Sequence, residues 1–94
     1  MFGTTIAEMV DRALAEGAVR LTLIDPGRRM RKYYRLGVQP NLFGGLDLVR
    51  EWGPIPGGRR PPRIVEEYPD LPSLLARLGE QVKVRLNGGY SVLA

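Results

Sequence analysis

Ile6, Met9, Val10, Ala13 and Leu14 recur at steps of three and four, a spacing that lines one stripe of a helix over residues 4–16. Thr5, with Glu8 three residues on, has the form of a capping box, and Gly17 is placed to stop the turn. Thirteen residues make a marginal helix alone, so the stripe needs a docking surface, either this chain's own sheet or a second subunit. From Ala18 to Ile24 the period changes to two. Val19, Leu21 and Leu23 face one way, Arg20 and Thr22 the other. Asp25-Pro26-Gly27 is a turn, and the basic stretch Arg28-Arg29-Met30 is expected to be exposed.

Arg31 to Val38 predicts a second strand, with Tyr34, Leu36 and Val38 on one face and Arg31, Tyr33 and Arg35 on the other. A loop over Pro40–Gly45 precedes a third strand from Leu46 to Trp52. There Leu46, Leu48, Arg50 and Trp52 share a side, opposite Asp47, Val49 and Glu51. Gly53 to Pro62 holds four prolines, three glycines and two arginines, a composition expected to form a surface loop. Arg63 to Tyr68 is a fourth, shorter strand. Asp70 is a good N-cap for a long helix whose stripe is Leu71, Leu74, Leu75, Leu78, Val82 and Leu86, ending at Asn87-Gly88-Gly89. Residues 90–93 are expected to tuck back as an extended tail. The result is an α+β domain: a curved, mostly antiparallel four-stranded sheet, a long C-terminal helix packed on it, and a short N-terminal helix.

The 94 residues suffice for one small domain. Cysteine and histidine are both absent, which excludes disulfides, thiolate metal sites and the usual general base. No cofactor and no catalysis are expected. No apolar run approaches the roughly 18–20 residues of a membrane span, and Glu8 and Asp11 interrupt any secretory h-region. A cytoplasmic location follows as the expectation. Lys and Arg total 14 against 10 Asp and Glu, for a net charge of +4. Lysine occurs only at positions 32 and 83, so the positive charge is carried almost wholly by arginine. Arginine grips phosphate bidentately and stacks on rings, which suits nucleic-acid contact; genomic base composition can produce the same bias.

Trp52 is the sole tryptophan. Two readings stand: a core aromatic closing the sheet edge, or a stacking platform for a base or sugar, an interaction of about 1–3 kcal/mol per base. Arg59, Arg60 and Arg63 are either a solvated cluster or phosphate contacts. Arg31, Lys32 and Arg35 form a basic strand segment with Glu51 or Glu66 as possible cross-strand partners.

Val49-Arg50-Glu51-Trp52-Gly53 resembles the WGR domain family, together with Tyr34-Arg35-Leu36-Gly37-Val38 upstream and Ile55-x-Gly57 after it. The linker Gln39-Pro40-Asn41-Leu42-Phe43-Gly44-Gly45 and the closing helix with its Gly89-Tyr90 end carry the same resemblance, over roughly residues 18–90. It implies a WGR-like domain over 18–94 with residues 1–17 as a helical extension. It implies the same curved sheet with one helix, and a non-enzymatic function in binding DNA near a terminal nucleotide, more readily than RNA. Carried over, Trp52 is the stacking residue, Gly53 the spacer allowing close approach, and Arg50 a supporting cation. The third motif position departs from the family, because Pro54 replaces arginine and offers neither a side-chain donor nor an N–H. Arg59, Arg60, Arg63, Arg35 and Lys32 are the remaining cations expected at a nucleic-acid surface. The alternative is a protein-interaction or homo-oligomerisation module without nucleic-acid binding; the other partner considered is a second copy, in a homodimer paired through the N-terminal helix or an edge strand.

Overall fold

The computed structural model describes residues 5–57 and 59–92. The elements run α1 (Ile6–Glu16), β1 (Ala18–Asp25), β2 (Met30–Pro40), β3 (Leu46–Pro54), β4 (Arg63–Tyr68) and α2 (Leu71–Asn87). The sheet is antiparallel throughout, in the order β1-β2-β3-β4. This is the α+β architecture expected, open rather than closed. Among the described residues no helix is long and apolar enough to cross a membrane.

Local chemistry sets the boundaries. Thr5 caps α1, its Oγ1 accepting the Glu8 N–H at 3.1 Å, and Gly17 ends it in the left-handed region at φ 85°. Residue 4, where the helix was expected to begin, lies outside the described residues. After β1, Asp25 accepts the Arg28 N–H at 3.3 Å and closes a short 3₁₀ turn over Pro26–Arg28. Asn41 ties the β2–β3 hairpin: its Oδ1 accepts from Phe43 N and Gly45 N at 2.9 and 3.0 Å, and its Nδ2 donates to Asp47 Oδ1 at 3.1 Å. Leu42 and Phe43 consequently stand in solvent at its tip. Asp70 caps α2 through the Ser73 N–H at 2.9 Å.

Both helices cover one face of the sheet, α1 over β1 and β2, α2 over β3 and β4. Met9 and Ala13 from α1, and Leu74, Leu78 and Val82 from α2, close with Val19, Leu21, Tyr34, Leu36 and Leu48 into a single core. Each large aliphatic side chain removed from water contributes about 1.5–3 kcal/mol. The α1 stripe therefore finds its docking surface within the chain, although Ile6 and Leu14 keep substantial exposure. Leu71, expected on the α2 stripe, is exposed at the first turn.

Four strand boundaries differ from expectation. β1 runs on to Asp25, Met30 opens β2 instead of ending the basic turn, β2 continues through Gln39 and Pro40, and β3 continues through Gly53 and Pro54, which were expected in the loop. Pro54 pairs with Lys32 at the end of the ladder. Backbone bonding direction alternates along a strand, and Ile55 N bonds Arg31 O while Trp52 N bonds Pro62 O. Position 54 thus directs its missing N–H away from β2 and beyond the end of β4, where no ladder bond is lost. The tail returns as expected as far as it is described: Thr22 and Ser91 exchange two backbone bonds, both of 2.8 Å, along the β1 edge. Leu93 lies outside the described residues.

Candidate functional site

The end of the sheet near Lys32 and Pro54 gathers Tyr33, Tyr34, Trp52 and Tyr90. Tyr34 and Trp52 are register partners on β2 and β3, on the helix-bearing face, and their rings stack with centroids 5.8 Å apart and planes 10° apart. Tyr90 meets Tyr34 edge-on at 6.3 Å. Arg85 of α2 places its guanidinium carbon 4.2 Å from the Tyr34 ring centroid, within cation–π range. Tyr34 is buried at the centre of this group, and Trp52 is half-buried at its margin.

Two concavities meet at the indole. One, of about 350 Å³, is lined by Lys32, Tyr33, Trp52, Gly53, Pro54 and Tyr90. The other, of about 260 Å³, is lined by Tyr34, Arg50, Trp52, Arg85 and Tyr90. An aromatic wall with an ammonium on one side and guanidiniums on the other can hold a flat ring next to an anionic group.

Arg50 is committed to the fold. Its Nη1 donates to Tyr34 Oη at 3.1 Å and to Gln81 Oε1 at 3.3 Å, and its Nη2 lies 3.6 Å from Glu66 Oε2. Glu66 is shared with Arg77, whose Nε and Nη2 approach at 3.4 Å. The Nε atoms of Arg50 and Arg85 are buried without a hydrogen-bond partner. Such donors favour a nearby acceptor.

The remaining predicted cations divide between the two faces. Lys32 stands on Trp52's side of the sheet, whereas Arg35 and Arg63 lie in the cross-strand row Arg20–Arg35–Glu51–Arg63 on the helix-free side. Glu66, on the helix-bearing side, pairs with Arg50 and Arg77 rather than with the basic segment of β2. Arg59 and Arg60 line a third hollow of about 310 Å³, bounded by Tyr33, Gly53, Pro54, Pro61 and Pro62. Tyr33 sits beneath Arg20, whose guanidinium is 4.9 Å from its ring, and donates to Glu51 Oε2 at 3.0 Å. Burial first, and the neighbouring Glu51 carboxylate second, raise the Tyr33 phenol above its ordinary value. A Cβ at Gly53 would stand 3.3 Å from the Tyr33 ring, close enough that the ring would have to give by a few tenths of an ångström.

The sequence profile of the WGR domain matches residues 17–92. The chain belongs to the WGR domain family. WGR domains form a nucleic-acid-binding family rather than a catalytic one. A relative, the uncharacterized protein y4dW of Sinorhizobium fredii (strain NBRC 101917 / NGR234), is 50% identical over 32 residues, an alignment covering 34% of this chain and 16% of that protein. No solved structure matches the chain. Trp52, Gly53 and Pro54, where the sequence resembles the family's motif, all line the first of these concavities.

Three residues of this candidate site escape a reading of the sequence as a site: Tyr34, Arg85 and Tyr90. The alternation places Tyr34 on Trp52's face, but no local signal says that the two rings are neighbours. Arg85 lies one turn beyond Gln81 on α2, and its position over Tyr34 depends on how that helix docks.

Proposed function

We propose that this WGR domain is a non-enzymatic DNA-binding module that receives an exposed or terminal nucleotide against Trp52. The observation that carries the reading is the half-buried indole, backed by Tyr34 and standing where two cation-flanked concavities meet. The nucleotide ring lies against Trp52 and Tyr90, and Lys32 and Arg85 meet its phosphates. Arg59 and Arg60 extend the phosphate track around the strand end past Gly53 and Pro54, and Arg35 and Arg63 add positive potential on the helix-free face. Arg50 supports this site from within, by holding Tyr34 through its hydroxyl.

Anisotropy titrations with labelled single-stranded, nicked and blunt DNA, with RNA of matched sequence, and at two salt concentrations test this reading. Binding weakens steeply with salt, because released counterions carry much of the affinity. Trp52→Ala lowers affinity by about 5- to 160-fold, the equivalent of one lost stacking contact of roughly 1–3 kcal/mol. A circular-dichroism melt checks that this variant still unfolds cooperatively. Since Trp52 is the sole tryptophan, its fluorescence in the unmodified chain reports stacking directly and is quenched on DNA addition. No binding of any of these nucleic acids at low salt would overturn the proposal.

A further inference from the structure

The two edges of the sheet are treated differently. On the β1 edge, Thr22 exchanges backbone bonds with Ser91 of the returning tail. The β4 edge has no such cover among the described residues. Because Trp52 N bonds Pro62 O, alternation assigns positions 62, 64, 66 and 68 to β3 and leaves the N–H and C=O groups of Arg63, Val65 and Glu67 pointing outward. Those three residues are exposed, and their side chains share the helix-free face.

We propose that this edge pairs antiparallel with the β4 edge of a second copy, across a two-fold axis through Val65, to make a continuous eight-stranded sheet. In this register Arg63 stands opposite the partner's Glu67, Val65 opposite its symmetry mate, and Glu67 opposite the partner's Arg63. Each of these is a hydrogen-bonded pair with Cα atoms about 5.5 Å apart, exchanging two bonds. Opposite charges therefore meet twice, around an apolar centre.

The charges along β4 favour this occupant. Neither Arg63 nor Glu67 is in an ion pair among the described residues. Glu67 lies directly opposite Asp47 on β3, a like-charge cross-strand pair that a guanidinium from the partner would relieve. Register is pinned as well. Sliding by two residues in either direction sets Val65 against Arg63 or Glu67 and brings Pro61 or Pro69 into the ladder, where proline has no donor. Only the two-fold through Val65 matches both charges.

Sedimentation equilibrium of the full chain, from low micromolar to submillimolar concentration, reads the outcome as mass. The unmodified chain rises to twice its 10.5 kDa. Arg63→Glu and Glu67→Arg each oppose like charges twice and stay monomeric, while the double variant R63E/E67R restores the dimer. A single-mass species at every concentration, single variants that still dimerise, or a double variant that does not would each overturn the proposal. If a single variant fails to fold by circular dichroism, amide exchange in the unmodified chain decides. The Arg63, Val65 and Glu67 amides must gain protection as concentration rises, and their failure to do so overturns the pairing.

Discussion

Arg50 projects toward the helices from a strand position flanked by Leu48 and Trp52, so its guanidinium must find partners inside the fold. It finds them on Tyr34, Gln81 and Glu66, brought together from β2, α2 and β4. Replacing it with an apolar side chain leaves the Tyr34 hydroxyl and Gln81 short of a donor and Glu66 dependent on Arg77. Arg50→Met should lower stability by about 2 kcal/mol, the scale of a lost hydrogen bond to a charged group. Urea denaturation followed by circular dichroism measures this, and in Arg50→Met/Glu66→Gln the losses should add to less than their sum. Strand alternation is enough to put Arg50 beside Trp52. Its capture is not, because Gln81 lies 31 residues along the chain.

At the scale of elements, two glycines have opposite meanings. Gly79 sits inside α2 with open space where a Cβ would be, so its absence of a side chain serves no contact. Gly79→Ala should raise stability by about 1 kcal/mol through helix propensity. Gly45 opens onto β3 against the far end of β4, and a Cβ there would collide with the Tyr68 carbonyl. Gly45→Ala should lose about 1–3 kcal/mol, since backbone must move to admit the methyl group. Thermal melts of the two variants should shift in opposite directions. The caps behind these elements are local chemistry and legible in sequence: Thr5, Gly17, Asp25 and Asp70 each act within three residues of the terminus they set. The β3 end was not legible. Gly53 and Pro54 read as loop until the ladder supplies Tyr33 and Lys32 as partners.

For the molecule as a whole, the buried Tyr33 and partly buried Tyr68 phenols link folding to pH. Tyr33 and Tyr68 both titrate above the ordinary tyrosine value of 10.0, chiefly through burial, with the Glu51 and Glu66 carboxylates adding to the shift. A raised folded value means the native state holds the proton more tightly than the unfolded chain. The associated stability is therefore fully present below pH 10.0 and is lost as pH rises from there through the folded values. Urea midpoints from neutral to strongly alkaline pH should fall past that point. Tyr33→Phe, although less stable at neutral pH for want of its bond to Glu51, should decline less steeply.

Periodicity, capping residues and turn chemistry are properties of neighbours in the chain. They were sufficient for the order of elements, the antiparallel sheet, the two helices and the face on which Arg50 and Trp52 lie. Tertiary structure alone decided that Tyr34 backs the indole, that Arg85 and Tyr90 gather around the same rings, and that the tail pairs with the β1 edge while, among the described residues, nothing pairs with the outer edge of β4. It also separated Lys32, beside Trp52, from Arg35 and Arg63 on the opposite face. The physical reason is one of range: a repeat of two or 3.6 residues sets which way a side chain points, whereas its partners depend on strand register and helix docking between segments far apart in sequence.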